Sequence, residues 1–271
     1  MPELPEVETT KRGIAPFIIG KTIQHVIVRQ RQFRWRIAPD FEDCLQGASI
    51  ETVSRRAKYL LMATQKGTLL VHLGMSGSLR LVSQAECATK HDHVDIIFDT
   101  KTILRFHDQR RFGALIWSYD DVHLHPLLKN LGVEPLSDAF TGAYLFQLGR
   151  HRNLPVKTFL MTGQIVVGIG NIYANESLFK AGLSPIRHTC DLTLTDYEKL
   201  SESVKTVLMD AIRQGGTTLR DFVNAQGKVG YFQQKLHVYG RDGLPCTQCG
   251  SKLEKIRISN RATVFCPKCQ R

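Results

Sequence analysis

The sequence predicts an α+β protein of several domains: an N-terminal β-sandwich with flanking helices, then a helical domain, then a small cysteine-bearing hairpin. Three observations predict this. The first 120 or so residues contain short runs rich in β-branched and aromatic side chains. Helical spacing of apolar residues replaces those runs after about residue 155. Four of the seven cysteines lie at position 246 or later.

The first segment, residues 1–125, is expected to begin with a helix and to continue as strands. Val7, Ile14 and Phe17 have the spacing of one helical face within residues 5–19. Turns such as Lys66-Gly67 separate the strand-like runs that follow, and short strands at such spacing are typical of a β-sandwich or barrel. The runs cover residues 22–30, 48–56, 58–64, 67–82, 93–100, 102–108 and 112–119.

Residues 126–154 are predicted to be a linker with a short helix near 138–149, because prolines and glycines interrupt both periodicities there. The next segment, 155–236, is predicted to be helical, with breaks such as Gly168-Ile169-Gly170. Its helices are expected over 157–165, 171–181, 195–213 and 217–224. Residues 237–271 form the cysteine hairpin.

The chain is strongly basic. It has 36 Lys and Arg against 25 Asp and Glu, a net charge of +11, which favours a polyanionic partner, either nucleic acid or a membrane surface. A merely basic globular protein is the alternative, but residues 227–271 alone hold nine basic and two acidic side chains. The sequence has no run of 18 apolar residues and no secretory signal. We therefore expect a cytoplasmic protein without a membrane partner.

Two Cys-x-x-Cys pairs near the end of the chain have the spacing of a metal site. Sixteen residues separate the first pair from the second, which is typical of zinc. Two disulfides are the alternative, which a cytosolic chain disfavours. Four thiolates leave no open coordination position, so the zinc is expected to be structural. The ligands are Cys246, Cys249, Cys266 and Cys269.

Motifs from the start, middle and end of the chain occur together in one order. Pro2-Glu3-Leu4-Pro5-Glu6 opens the sequence, Gly168-Ile169-Gly170-Asn171 leads into Ile172-Tyr173-Ala174-Asn175-Glu176, and the four-cysteine hairpin closes it. Between them stand Arg56-Ala57-Lys58, Gly74-Met75-Ser76, Lys90-His91 and Arg110-Arg111-Phe112. Over essentially its whole length the chain resembles the formamidopyrimidine-DNA glycosylase family of bacterial DNA repair enzymes.

Pro2 has the chemistry of a nucleophile once Met1 is removed. An α-amine has a reference pKa of about 7.7–8.0, so part of it is unprotonated at neutral pH. A secondary amine can attack an electrophilic sugar carbon and form an iminium ion, and Glu3 beside it is a candidate general acid or base. A disordered N-terminus is the alternative on residue type alone; the family resemblance favours the nucleophile.

The resemblance implies a complete catalytic cycle. Pro2 attacks C1′ of the damaged nucleotide, Glu3 protonates the deoxyribose ring oxygen, and β- and δ-elimination then cut the strand on both sides of the lost base. Glu6, Lys58 and Glu176 complete the catalytic set that it implies. A surface charge on a helix is the alternative for Glu176.

The resemblance also implies how the DNA is held, with 157–176 as a helix–two-turn–helix motif. Contacts to phosphate are expected from Lys58, His91, Lys157, Asn171 and Arg261, although each of the basic ones could be a solvated surface charge. Met75, Arg110 and Phe112 match a triad that fills the space left by a flipped base. Ordinary core packing is the alternative for the triad. A loop within 217–232 is expected to cover the flipped base.

The resemblance implies one zinc ion per chain, a monomer, and double-stranded DNA with oxidised purines or abasic sites as the partner, in the bacterial cytoplasm at the nucleoid. The nearest rival is an endonuclease VIII-type enzyme for oxidised pyrimidines, which typically has glycine in place of Leu4. A non-enzymatic zinc-ribbon DNA-binding protein would not explain Pro2-Glu3. Thr158 and Thr162-Gly163-Gln164 depart from the family pattern without removing a residue assigned to chemistry.

Overall fold

A computed structural model of the chain describes residues 1–216 and 236–271. By internal contacts the chain divides into two compact units; among the described residues the first comprises Met1–Lys129 with 214–216, and the second Asn130–Arg213 with 236–271. The predicted helix 217–224 and the predicted loop within 217–232 lie outside the described residues. No described helix combines the length and the apolar character needed to cross a membrane.

Among its described residues, the first unit is a β-sandwich with one long and one short α-helix. Its described strands form two antiparallel four-stranded sheets, ordered β1-β6-β7-β5 and β2-β3-β4-β8. The elements are α1 Leu4–Ile18, β1 Ile23–Val28, α2 Phe41–Leu45, β2 Ile50–Arg56, β3 Tyr59–Thr64, β4 Gly67–His72, β5 Ser78–Val82, β6 Asp92–Phe98, β7 Ile103–His107 and β8 Ala114–Ser118.

One apolar core joins both sheets and α1. Phe98 and Phe106 come from one sheet and Leu69 from the other, and each is at most 1% exposed. On α1 the buried face runs through Val7, Ile14 and Ile18. Phe17, expected on that face, is 50% exposed, because Ile18 lies four residues after Ile14 and takes the inward position. The predicted α+β class and sandwich are confirmed.

The second unit is helical and ends in the cysteine hairpin. Its elements are α3 Gly142–Gly149, α4 Val156–Leu160, α5 Asn171–Ala181, α6 Leu194–Arg213, β9 Glu254–Ile258 and β10 Arg261–Phe265. Helix α3 begins later than predicted because Thr141 caps it, its hydroxyl accepting from Tyr144 N at 3.0 Å. Helix α4 is shorter than the predicted 157–165, because the backbone turns at Thr162, whose carbonyl accepts from Ile165 N.

Candidate active site and DNA interface

The N-terminal motif forms a capping box at the start of α1. The carboxylate of Glu3 accepts from the backbone of the third helical residue, Glu6, and Glu6 Oε2 accepts from Glu3 N at 2.8 Å. Glu3 is 2% exposed and Glu6 is fully buried. This reciprocal pair satisfies two helix-end donors. It fixes the backbone immediately after Pro2, so Glu6 orients Pro2 through Glu3.

Lys58 lies on the tight turn between β2 and β3. Ala57 before it has a φ of 55°, which is the left-handed region. Arg55 supports the turn, with Nη1 donating to Ala57 O at 2.9 Å and Nε to Glu8 Oε2 of α1 at 3.2 Å. Burial alone would raise the pKa of Glu8, but the Lys11 and Arg12 hydrogen bonds and the charge of Arg55 lower it. Glu8 and Arg55 therefore join the Lys58 turn to α1.

Met75 and Phe112 lie on two turns that pack backbone against backbone. Gly74, before Met75, has a φ of +64°, and a Cβ there would lie 2.5 Å from both Gly113 N and the carbonyl carbon of Phe112. Only glycine permits this approach. The guanidinium of Arg110 stands over the Phe112 ring at 4.8 Å. Phe112 is 44% exposed, which argues against core packing for this member of the predicted triad.

The carboxylate of Asp108, which sequence reasoning missed, connects those two turns. Its Oδ1 accepts from Ser76 Oγ at 2.8 Å and from Arg110 N at 3.2 Å, and its Oδ2 accepts from Gly113 N at 2.8 Å. Its backbone N–H donates to His91 O at 3.0 Å. The structure therefore brings Met75, His91, Arg110 and Phe112 to one end of the sandwich.

His91 ends a loop that a buried carboxylate holds in place. Asp92 accepts from Thr89 N at 2.7 Å and Thr89 Oγ1 at 2.8 Å, and it pairs with Arg80 at 2.6 Å. Burial alone would raise the pKa of Asp92, but the hydrogen bonds from Thr89 and His107 and the charge of Arg80 hold it well below its usual range. The ionised carboxylate thus fixes the backbone from which His91 projects.

His72 supports the Met75 turn as a neutral base. Its Nδ1 accepts from Gly74 N at 3.0 Å. Burial, followed by the charges of Lys58 and Arg34, lowers the pKa of His72 to about 4. Because folding lowers this pKa from 6.5, the contribution of neutral His72 to the free energy of unfolding is fully present above about pH 6.5. That contribution is lost as the pH falls towards 4.

We expect His72→Asn to remove most of that pH dependence, because the Asn oxygen can accept from Gly74 N without titrating. Between pH 7 and pH 5, the wild type should lose about 2 kcal/mol more unfolding free energy than the variant. Both tryptophans, Trp35 and Trp117, lie in the first unit, so urea unfolding followed by their fluorescence reports on it. His25→Asn, at an exposed histidine, is the control. Identical pH slopes in all three proteins would contradict the assignment.

Three side chains of the second unit hold β10, the strand that begins at Arg261. Lys157, only 1% exposed, donates from Nζ to Thr263 Oγ1 at 2.7 Å and to Ala262 O at 3.2 Å. Asn171 Nδ2 donates to Ala262 O at 3.0 Å. Asn175 Oδ1 accepts from Val264 N at 3.1 Å. Together they fix the strand and leave Arg261 exposed at its start.

These contacts refine the expectations for Lys157 and Asn171. The resemblance implies a phosphate contact for the ammonium of Lys157, and the structure places it beneath the hairpin, where it supports the strand of Arg261. Asn171 begins α5, directly after the glycine turn. Its Oδ1 atom is buried without a hydrogen-bond partner among the described residues, which is typical of a group that acts at a functional site.

Glu176, expected beside the chemistry, holds the entry to the hairpin. It is 4% exposed. Its Oε2 accepts from His237 N at 2.9 Å, and its Oε1 from Val238 N at 3.0 Å and Tyr239 N at 2.8 Å. A carboxylate that accepts three backbone N–H groups fixes the segment that donates them. The alternative of a solvated helix surface charge for Glu176 does not fit this burial.

The four cysteines of the hairpin form one metal site. Their sulfur atoms all lie within 4.8 Å of one another, with Cys246 and Cys269 at 3.9 Å and Cys249 and Cys266 at 3.5 Å. Tetrahedral zinc with Zn–S bonds of about 2.3 Å places sulfurs about 3.8 Å apart, whereas disulfide sulfurs lie about 2.05 Å apart. The set fits zinc, and the disulfide alternative is wrong.

Apolar packing completes the hairpin and seats it on α5. Val238, Leu253 and Val264 form a small buried cluster with Phe179 of α5 and with the cysteines. Backbone N–H groups point at the sulfurs, with Gln248 N donating to Cys246 Sγ at 3.4 Å. A cluster this small needs the metal for its folding energy.

Family models match the chain in three consecutive parts. The N-terminal domain of formamidopyrimidine-DNA glycosylase matches residues 1–115, and the H2TH domain of the same enzyme matches residues 131–223. The chain belongs to the formamidopyrimidine-DNA glycosylase family. A zinc finger that is found in these enzymes matches residues 243–271, which confirms one structural zinc. The family assignment confirms the sequence-based resemblance and makes the chain a DNA glycosylase.

Relatives of this family match over their full length. Formamidopyrimidine-DNA glycosylase of Pseudomonas aeruginosa is 54% identical over 271 residues, covering 100% of both chains. That of Hydrogenovibrio crunogenus is 53% identical, covering 100% of this chain and 97% of the relative. The crystal structure of MutM (Fpg) from Thermus thermophilus is 39% identical, with a TM-score of 0.87 over 99% of this chain and 98% of its own.

A solved relative also carries DNA. The complex of Lactococcus lactis Fpg with DNA that contains an abasic site is 33% identical to this chain, with a TM-score of 0.91 over 99% of each chain. The same Lactococcus enzyme is known in complex with DNA that contains N7-benzyl-Fapy-dG; that structure is 34% identical, with a TM-score of 0.90 over 100% of each chain.

Proposed function

We propose that this glycosylase excises oxidised purines, 8-oxoguanine and formamidopyrimidines, from double-stranded DNA and then cuts the strand at the abasic site. The observation that carries the proposal is the capping box at the N-terminus. It holds Glu3 buried and its backbone fixed, directly after Pro2. The DNA in the two Lactococcus complexes, one abasic and one with a Fapy-dG derivative, supports the same substrate class.

In the proposed reaction the amine of Pro2 acts as nucleophile and Glu3 as general acid. The nitrogen lone pair forms a bond to C1′, the damaged base departs with the glycosidic electron pair, and the proton from Glu3 goes to the ring oxygen as the sugar opens. The nitrogen gives up its own proton, which neutralises the departing base anion, and the product is an iminium ion. Glu6, through its hydrogen bond to Glu3 N, keeps the two groups adjacent during these steps.

Strand cutting follows from the iminium ion. Its positive charge acidifies the C2′ protons; loss of one expels the 3′-phosphate, and a second elimination expels the 5′-phosphate. Water then releases the sugar fragment from Pro2. Each elimination breaks one C–O bond and needs one proton removed, so no oxidant or metal takes part. This sequence requires only a base near the sugar and the free terminal amine.

Both units are proposed to hold the DNA backbone. Arg261 is exposed at the start of β10, on a strand fixed by Lys157, Asn171 and Asn175. Lys58 and His91 act in the same way from the first unit. Such contacts position the duplex and release counterions without reading sequence. We propose that the enzyme acts as a monomer on nucleoid DNA.

The rival specificity, for oxidised pyrimidines, is less favoured. Leu4, Met75 and the Arg110/Phe112 pair are features of the purine branch. In this structure Phe112 is 44% exposed with Arg110 over its ring, the arrangement expected of side chains that enter a duplex. A non-enzymatic zinc-ribbon protein would need no buried capping box beside Pro2.

A borohydride experiment tests the reaction class and a lesion panel tests the substrate. Mixing the enzyme with DNA that contains a single 8-oxoguanine and reducing with borohydride should trap a covalent adduct, which a binding protein cannot form. Single-turnover excision should be faster on 8-oxoguanine and Fapy-guanine than on oxidised pyrimidines. No adduct would refute the nucleophile, and a pyrimidine preference would refute the purine specificity.

We expect Arg110→Ala to lower excision opposite cytosine far more than excision opposite adenine. Cytosine offers two adjacent acceptors, O2 and N3, to a guanidinium that carries only donors, whereas adenine faces it with a donor amine beside N1. Such a contact discriminates by roughly ten- to a hundredfold. Single-turnover rates on the two duplexes measure the ratio. Arg111→Ala is the matched control. An unchanged ratio of the two excision rates in Arg110→Ala would mean that another residue discriminates between cytosine and adenine.

A further inference from the structure

We propose that Asp108 is the positioning residue that locks the turns carrying Met75, Arg110 and Phe112 into one rigid platform. The proposal rests on the proposed function, in which those three side chains fill the space left by the flipped purine. Asp108 itself touches neither DNA nor the reacting atoms. It acts through the hydroxyl of Ser76 and the backbone N–H groups of Arg110 and Gly113, which lie on the turns that carry those side chains.

The geometry singles out its carboxylate. Asp108 is fully buried, yet among the described residues no ion pair to it lies within 4 Å. Three donors satisfy its two oxygens: Ser76 Oγ at 2.8 Å, Arg110 N at 3.2 Å and Gly113 N at 2.8 Å. Ser76 follows Met75 in one turn, whereas Arg110 and Gly113 flank Phe112 in the other. One side chain therefore holds both turns.

The backbone around the carboxylate is equally constrained. A Cβ on Gly113 would lie 2.6 Å from the Phe106 ring, 2.9 Å from His72 O and 3.1 Å from Asp108 Oδ2. Asp108 N donates to His91 O at 3.0 Å, and Asp108 O lies 2.9 Å from His93 Nε2. The residue that bears the carboxylate is thus anchored to the sheet on both sides of its Cα.

A carboxylate suits this position because it only accepts. An ionised Asp offers acceptors on both oxygens, so it can serve donors on two turns at once, whereas an amide offers one oxygen and adds two donors of its own. Removing a carboxylate from water without an opposite charge beside it costs free energy. A contribution to stability alone therefore does not explain an aspartate at this position. The three donors it collects are those that fix the Met75 and Phe112 turns.

A rigid platform lowers the free-energy cost of inserting Met75, Arg110 and Phe112 into the duplex. Side chains that must be ordered during binding pay conformational entropy at that step, and pre-organised ones do not. With Asp108 in place, the backbone from which Met75, Arg110 and Phe112 project is already fixed before DNA binds. The expected effect of losing the carboxylate is therefore on excision from a stacked duplex, and not on the chemistry at the sugar.

Asp108→Asn tests this with two substrates. On a duplex with 8-oxoguanine opposite cytosine, single-turnover excision should fall about tenfold, because Gly113 N or Ser76 Oγ loses its acceptor. On a single-stranded oligonucleotide with a preformed abasic site, where no stack is entered and no partner base is left unpaired, cutting should stay within about twofold of wild type. The ratio of the excision rate opposite cytosine to that opposite adenine should also fall. Asp121→Asn, at an exposed carboxylate that accepts one backbone N–H, is the matched control.

Folding is checked by tryptophan fluorescence, which reports on the first unit. If folded Asp108→Asn excises at the wild-type rate, or loses equal activity on both substrates, the positioning role is overturned. Should the variant not fold, Ser76→Ala decides: it removes one of the three donors, and duplex excision should fall about threefold with single-strand cutting unchanged. A wild-type enzyme that excises no purine lesion would instead refute the proposed function.

Discussion

Any residue left in front of Pro2 should abolish strand cutting while leaving DNA binding nearly intact. An extension turns the proline nitrogen into an amide, whose lone pair is delocalised into the carbonyl and cannot attack C1′. Loss of an essential nucleophile typically costs at least about a thousandfold in rate. The phosphate contacts proposed for Lys58, His91 and Arg261 do not involve that nitrogen, so affinity for abasic DNA should change by no more than about threefold.

The measurement is single-turnover cutting of abasic duplex by protein with an uncleaved N-terminal tag. Protease removal of the same tag to expose Pro2 is the matched control and should restore both cutting and borohydride trapping. A tag at the other end of the chain should have no effect. Normal cutting by the uncleaved protein would assign the nucleophile to another residue.

Features set by local chemistry were predictable from the sequence. The strand runs follow from β-branched and aromatic side chains between turns, and the sandwich contains them all. The zinc ligands follow from the spacing of two short Cys-x-x-Cys turns, which the structure gathers within 4.8 Å. Helix α1 was also predictable, because the spacing of Val7 and Ile14 placed a helix within residues 5–19, and the helix begins one residue earlier, at Leu4.

Features that depend on contacts between distant positions were not predictable. Asp108 joins Ser76, 32 residues earlier, and no local pattern distinguishes it from any aspartate after a strand. Glu176 accepts from backbone N–H groups 61 to 63 residues later, and every residue except proline carries such a donor. The family resemblance assigns Lys157 to a phosphate, but its burial becomes visible only when the hairpin is folded against it.

Contacts seen in the structure change what several residues are expected to do. The resemblance places Glu6 and Glu176 among the catalytic residues, but in this structure Glu6 holds the backbone of Glu3 and Glu176 holds the entry to the hairpin. Their assignment to chemistry stays a prediction. We expect substitution of Glu6 to misplace Pro2, and substitution of Glu176 to misplace the segment before the zinc ligands.

Cys249→Ser should release the zinc, unfold the hairpin and weaken DNA binding. The hairpin core is a few apolar side chains around Phe179, which is too little to fold without metal. Unfolding β10 removes Arg261 from the strand that Lys157 and Asn175 hold in place. Removing one phosphate-binding side chain lowers the slope of log affinity against log salt by about 1, so the salt dependence should become shallower as affinity falls.

Metal analysis and salt titration of DNA binding measure the two effects separately. The wild type should carry one zinc per chain and Cys249→Ser almost none, whereas Cys190→Ser, at an exposed cysteine outside the cluster, should keep the full amount. The tryptophan-detected transition of the first unit should not move, because both tryptophans are remote in sequence from the hairpin and belong to that unit. Native protein without zinc would refute the metal site. An unchanged salt slope in the zinc-free variant would instead show that the hairpin, although metal-dependent, binds no phosphate, and that Arg261 does not bind the backbone.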